Sequence, residues 1–312
     1  MMNLKQILSN FFLLTIALYS INLKAQRLDL GSPESVGMSH DRIQNLTSVL
    51  KEYVENKKLA GAVALIARRG KIVYFESVGQ MDIEKNIPMS RNTIFRIASQ
   101  TKAIVSVGIM MLQEEGKLLI SDPVGDYIPE FKETKVAVPK EGGGYIIEKA
   151  KRPITIRDLL THTAGIGYGN GVASDLWEKE GIQGWYFAHR NEPVLETVKR
   201  MGGLPFDAQP GEKYVYGYNT DILGAIIEVV SGQTLEAFLQ KQILNPLGMK
   251  DTHFYLPQNK VKRLATVYSS TPDGDIERAP DEGTMISQGA YVKGPRISFS
   301  GGAGYLSTAM DY

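Results

Sequence analysis

Cysteine is absent from this 312-residue chain, and with it go disulfides, thiolate metal sites and a cysteine nucleophile. Histidine is scarce: His40, His162, His189 and His253 are scattered, with no H-E-x-x-H pair to set two imidazoles on one helical face, so a zinc site is not expected. Neither sign of charge prevails. Lys plus Arg number 35 and Asp plus Glu 34, a balance without the basic excess that phosphate contacts need, so no nucleic-acid partner is expected. G-x-S-x-G does not occur, and neither do G-x-G-x-x-G or a P-loop, so an α/β-hydrolase elbow and a nucleotide cradle are both unsupported. Glu76 and Glu114-Glu115 read as solvated charges, because nothing pairs two carboxylates for glycoside chemistry. No metal or organic cofactor is implied.

Long apolar runs are also missing. The strongest, FFLLTIALYSI over residues 11 to 21, contains Thr15, Tyr19 and Ser20 and falls short of the roughly 20 residues a membrane helix needs. With Lys5 before it and small Ala25 ahead of Gln26, it reads as a secretory signal over residues 1–25. The expectation is an exported protein, periplasmic or secreted, with residues 26–312 as its domain and no membrane span once the signal is removed. Its oligomeric state is not legible.

What is present is the patterning of a globular domain, 43% hydrophobic and 22% charged. Ser39 is placed to cap a helix whose Ile43, Leu46, Leu50, Tyr53 and Val54 form one apolar stripe. Residues 61–79 are two β-branched and aromatic runs meeting at Arg69-Gly70, a hairpin apolar on both faces and therefore expected to be covered on both. From Ser99 the run AIVSVGIMML predicts a buried central helix stopping near Gly116. Residues of about 120–250 are short helical segments with Pro and Gly punctuation, and Gly142-Gly143-Gly144 marks an exposed turn. This predicts an α+β fold, an antiparallel sheet flanked by helices with a mostly helical subdomain. Trp177, Trp185, Tyr186 and Phe187 are either subdomain core or the lining of an acyl pocket, core being favoured.

Ser99 and Lys102 stand at i and i+3, one helical turn apart. A serine hydroxyl is a weak nucleophile until a neighbouring base takes its proton, and a lysine in an apolar setting can be that base. Ser48 and Lys51 share the spacing but fall off the apolar stripe of an ordinary amphipathic helix. Ser99 instead opens the most apolar helix of the chain, a costly place for Lys102 unless it is paired or neutral. His162 in LLTHTAG reads as a satisfied structural histidine.

FRIASQTKAIVS (95–106) resembles the S-x-x-K nucleophile motif of the serine β-lactamase and penicillin-binding-protein superfamily. DPVGDYIPEF (122–131), ITIRDLLTHTAGI (154–166), PLGMKDTHF (246–254) and SGGAGYLSTAMDY (300–312) resemble, in order, the branch holding class C β-lactamases, DD-peptidases and family VIII carboxylesterases. The resemblance implies that Tyr216, in KYVYGYNTDILG, is the proton shuttle beside Ser99 and Lys102. It also implies a substrate-binding pair: many β-lactamases carry Asn two residues after this tyrosine to hold the substrate amide, whereas here that position is Tyr218 and Asn219 follows. This departure leans toward esterase-like relatives.

A second departure is that the superfamily's third motif, a Lys- or His-containing strand ending in Gly, lies past the SGGAGYLSTAMDY-like segment. The expectation is a C-terminally incomplete sequence lacking some sheet partners of residues 61–79. The function implied is a serine hydrolase acting on a small ester, β-lactam or peptide through an acyl-enzyme on Ser99, carboxylesterase first. The alternatives are a β-lactamase or D-amino-acid peptidase, or a penicillin- or cell-wall-binding module without turnover.

Overall fold

A computed structural model describes residues 28–312; the signal-like residues 1–25 lie outside the described residues. Strand β1 (Asp29–Leu30) is followed by helix α1 (His40–Glu55), whose N-cap Ser39 accepts a hydrogen bond from Arg42 N–H. Strands β2 (Gly61–Arg68) and β3 (Lys71–Asp82) then form the expected antiparallel hairpin, reversing at Arg69 and Gly70, both at positive φ. In the sheet the order is β1-β3-β2, with β4 (Ile87–Pro88) also on β3. One face of β3 presents Ile72, Tyr74 and Val78, all buried, and α1 packs against this strand; Thr47 on α1 shares a 2.9 Å hydrogen bond with the Tyr74 hydroxyl. Only part of the expected stripe follows: Ile43 is buried while Tyr53 is exposed. Among the described residues two-sided cover of the hairpin is not seen either, for β2 stays half-buried over its apolar length.

Strand β5 (Phe95–Arg96) leads through a short 3-10 turn, Ala98–Gln100, into α2 (Thr101–Glu114). The helix ends at Glu114, near Gly116 as expected, and Gly116 lies in the left-handed region. It is central but not buried all round: Ile104, Val105, Ile109 and Leu112 face the core, whereas Val107 and Met110 are exposed. The stretch read as a helical subdomain contains α3 (Ile156–Leu160), α4 (Ser174–Lys179), α5 (Val194–Gly202), α6 (Asn219–Ser231) and α7 (Leu235–Leu239). It also carries a sheet that periodicity did not reveal, in which β6 (Lys135–Pro139) pairs with β7 (Tyr145–Lys149) across the Gly142–Gly144 turn and with β8 (Pro205–Phe206).

The main core lies between α2, α6 and the loops around them. Trp177, Tyr186 and Phe187 are buried in it, the Trp177 indole N–H donating to Pro205 O at 3.0 Å, so these three are core and not pocket lining. Trp185 is partly buried, with the Arg96 guanidinium 5.7 Å from its ring centroid. Strand β9 (Tyr268–Ser270) pairs with β10 (Ile276–Arg278). Finally β11 (Leu306–Ser307) pairs antiparallel with β5, and Ile97 N–H donates to Tyr305 O, which brings the last described residues beside the start of α2.

Candidate active site

Three segments far apart in sequence converge at the N-terminal end of α2. Ser99 sits in the 3-10 turn and is exposed to solvent, preceded by Ala98 at φ 42°, a region that non-glycine residues rarely occupy. Lys102, one turn further and half-buried, directs its Nζ to Ser99 Oγ at 3.2 Å and to Gly302 O at 2.7 Å; the Tyr168 hydroxyl lies 3.4 Å away. The Tyr216 hydroxyl donates to Ser99 Oγ at 2.7 Å, and Lys102 Nζ lies 4.7 Å from the Tyr216 ring centroid. Ser99, Lys102 and Tyr216 therefore meet in one cluster.

Tyr216 reaches this place because the loop before α6 packs directly on the loop after α3. A Cβ on Gly217 would lie 2.3 Å from Ile166 O, so only glycine permits the approach. Tyr168, on the loop after α3, meets Tyr216 edge to face at 5.8 Å. The His162 ring lies 4.8 Å from Tyr216, with Tyr214 stacked on the outer side.

Burial pushes the Tyr216 phenol up, but hydrogen bonding with Lys102 and Ser99, together with the Lys102 charge, outweighs it and leaves the phenol below its usual 10. Tyr168 goes the other way, raised by burial and by the nearby Asp221 carboxylate, so it stays a neutral phenol. His162 is lowered to about 4, first by burial and then by the Lys102 charge. It is therefore neutral near pH 7, consistent with the structural reading. Among these aromatic groups Tyr216 is the one tuned toward ionisation.

Two residues expected to bind substrate do not reach the cleft. Tyr218 is fully buried, its hydroxyl donating to Gly184 O at 2.8 Å and its ring stacked on Trp177 at 5.8 Å. Asn219 is fully buried as well, its Nδ2 3.2 Å from both Ile166 O and Val215 O and 2.9 Å from His162 Nδ1. The chain turns into α6 at this point, which rotates both side chains inward and leaves them fastening the Tyr216 loop. Sequence reading gave no role to Tyr168 or Gly302. Tyr168 stands two residues past the ITIRDLLTHTAGI segment and Gly302 within SGGAG, but nothing in their spacing shows that both meet Lys102.

Beside the turn that carries Ser99 a groove of about 610 Å³ opens between β2 and the last described segment, lined by Val63, Leu65, Arg96, Gln100 and Ser307 among others. The Tyr312 hydroxyl donates to Gln100 O at 3.1 Å across one end of it. Among the described residues no group of three or more His, Cys, Asp or Glu side chains comes together as a metal site.

An α+β fold whose central helix begins with Ser and Lys one turn apart, faced by a tyrosine from the loop ahead of a second core helix, has the layout of the serine β-lactamase and penicillin-binding-protein superfamily. A family model described as Beta-lactamase matches residues 46–312, and the chain belongs to this family. It is 34% identical over 280 residues to Esterase EstB of Burkholderia gladioli, covering 85% of this chain and 67% of that protein. It is 32% identical over 265 residues to Protein Rv1367c of Mycobacterium tuberculosis, covering 84% of this chain and 63% of that one. The chain thus spans about two thirds of these relatives' length. A solved structure, EstCE1, described as a hydrolase with promiscuous acyltransferase activity, superposes with a TM-score of 0.75 at 28% identity, covering 86% of this chain and 70% of its own.

Proposed function

We propose that the protein is an exported serine hydrolase that cleaves small carboxylic esters through an acyl-enzyme on Ser99. One observation carries the reading: a single Ser99 Oγ lies 2.7 Å from the Tyr216 hydroxyl and 3.2 Å from Lys102 Nζ. With Tyr216 ionised, the Oγ proton passes to the phenolate as Oγ forms a bond to the ester carbonyl carbon. The ammonium of Lys102 faces the negative charge of that phenolate. The Ser99 N–H, in the first turn where such groups have no intrahelical acceptor, is available to the oxyanion. As the C–O bond breaks, the proton goes from Tyr216 to the departing alkoxide. Water then attacks the acyl carbon, and its proton returns by way of Tyr216 while Ser99 is restored.

Carboxylesterase activity is placed ahead of β-lactamase or D-amino-acid peptidase activity on two grounds. Tyr218 and Asn219 are both turned into the core, so neither offers the side-chain amide that the β-lactamase pattern would use. The name of Esterase EstB supports the same order. Export by residues 1–25, with residues 26–312 as the hydrolase domain and residues of about 120–250 as its subdomain, belongs to this proposal.

The test is steady-state hydrolysis of p-nitrophenyl butyrate against nitrocefin, with Ser99→Ala beside the unaltered chain. Ester turnover lost in Ser99→Ala supports the proposal. Fast nitrocefin turnover without ester hydrolysis overturns the order, and stable acyl adducts by intact mass without turnover identify a binding module instead. Ester turnover that survives Ser99→Ala refutes the site. N-terminal sequencing of material recovered from the periplasm of an expressing Gram-negative host should begin at Gln26.

A further inference from the structure

Asp221 is a carboxyl shut away from the protein surface. Its side chain lies in the first turn of α6, the residue is 1% exposed, and it sits behind the catalytic cluster. Oδ1 accepts from Ser300 Oγ at 2.7 Å and from Gly302 N–H at 3.0 Å, whereas Oδ2 has no hydrogen-bond partner among the described residues. A buried anionic oxygen without a donor is costly and persists only where something offsets it. Burial pushes the Asp221 carboxyl up, and the hydrogen bonds from Ser300 and Gly302 and then the charge of nearby Lys102 act against that rise; Lys102 also donates to the carbonyl of the same Gly302. A Cβ on residue 302 would lie 2.3 Å from Asp221 Oδ2, so the loop touches the carboxylate as closely as a main chain can.

We propose that Asp221 is the positioning residue for Lys102, fixing the Gly302 carbonyl that holds Nζ beside Ser99 and setting its own carboxylate behind that lysine. The inference rests on the acyl-enzyme reading of Ser99 and assigns Asp221 no contact with substrate. Two parts of the geometry carry it. The Ser300–Gly302 segment is tied to α6 by the two bonds to Oδ1, and Ala303 N–H donates to Ser300 Oγ, closing the loop on the carboxylate. Lys102 in turn donates to that loop from α2. One carboxylate therefore sets the loop that sets the lysine. The other titratable groups facing the pair are Tyr168, Tyr216 and Tyr218 with His162, and the last is neutral near pH 7.

The experiment is second-order labelling of Ser99 by a fluorophosphonate probe between pH 5 and 9, read by intact mass, with unfolding temperature measured on the same samples. Asp221→Asn retains an acceptor for Ser300 and Gly302 but removes the charge. Labelling should slow by about tenfold or more at pH 7, and the acid limb of its pH profile should move, since a charge behind the Ser99 cluster has been removed. Unfolding temperature should change little. An unchanged rate and limb overturn the proposal, as does a loss of labelling that only tracks loss of folding. Should Asp221→Asn not fold, Ser300→Ala takes its place: it removes one donor from Oδ1 and should slow labelling by about threefold or more in folded protein, an unchanged rate again being the refuting result. If the unaltered chain is not labelled on Ser99 at all, the acyl-enzyme reading fails instead, which separates the two failures.

Discussion

Removing the carboxylate of Asp158 should cost the protein about 2–3 kcal/mol, because that one side chain closes both ends of α3's first turn. Oδ2 accepts from Thr155 N–H at 2.9 Å and from Thr155 Oγ1 at 2.8 Å, while Asp158 N–H donates back to Thr155 Oγ1, a reciprocal cap. Arg152 grips both oxygens, at 2.6 and 2.8 Å, and Thr163 Oγ1 reaches Oδ1 at 3.3 Å. Losing the cap costs about 1 kcal/mol. The ion pair adds about 1 kcal/mol at most, since the Arg152 side chain is 42% exposed and rehydrates. The two threonine donors contribute about 0.5 kcal/mol between them. For a chain of this size, unfolding of Asp158→Ala should come about 5 °C lower.

The pH dependence has a definite sign. Burial pushes the Asp158 carboxyl up, but the Arg152 and Thr155 hydrogen bonds outweigh it and hold it below its usual 3.8. A depressed folded-state value stabilises above the unfolded value and is lost as pH falls through the folded one. Urea unfolding of Asp158→Asn should therefore differ from the unaltered chain at pH 7, the difference narrowing once the pH drops under the unfolded value and closing only below the folded one, itself under 3.8. A midpoint for Asp158→Ala displaced by less than about 1 kcal/mol with an unchanged slope, or a difference that persists at low pH in Asp158→Asn, would refute the reasoning.

Two other substitutions test the local geometry. Ala98 holds φ 42° immediately before Ser99, so Ala98→Val should cost about 1–2 kcal/mol in urea unfolding and slow Ser99 labelling, while Ala98→Gly should be tolerated within about 0.5 kcal/mol; equal stability of the valine and glycine variants would remove the strain argument. Tyr218→Phe leaves Gly184 O without its buried donor and should cost about 1–2 kcal/mol with ester KM within about twofold of the unaltered chain, whereas a large KM change with no stability loss would restore Tyr218 to the substrate cleft.

Ser99 and Lys102 were legible because the chemistry that joins them is local: one helical turn fixes their separation whatever the rest of the chain does. Tyr216 came from family resemblance, as the contact it makes with Ser99 spans 117 residues of sequence. Tyr218 and Asn219 were misread for a related reason. Adjacency to a site residue says nothing of which way a side chain turns, and the start of α6 carries both into the core. The apolar run of α2 was read as evenly buried, yet apolar composition sets only the tendency to be covered, and Val107 and Met110 face outward. The β6–β7 hairpin escaped notice because β7 is largely exposed and its outer positions carry no alternation to signal a strand.

The glycines of SGGAG show how a motif can be legible and its reason hidden. Glycine in a loop invites the reading of a turn that needs positive φ, and neither Gly301 nor Gly302 is at positive φ. What excludes a side chain is contact: a Cβ at 301 would stand 2.5 Å from Thr220 O and one at 302 would stand 2.3 Å from Asp221 Oδ2. Both obstructing atoms belong to the first turn of α6, so the two glycines record how closely this loop is pressed on that helix. The pressing is useful only because the loop's other side receives Lys102. The spacing between Tyr216 and Asp221, five residues across the helix start, then has a physical meaning: one end of the segment delivers the phenol to Ser99 while the other delivers the carboxylate behind Lys102. A single helix entry thus sets the place of the Tyr216 hydroxyl and the surroundings of Lys102 together.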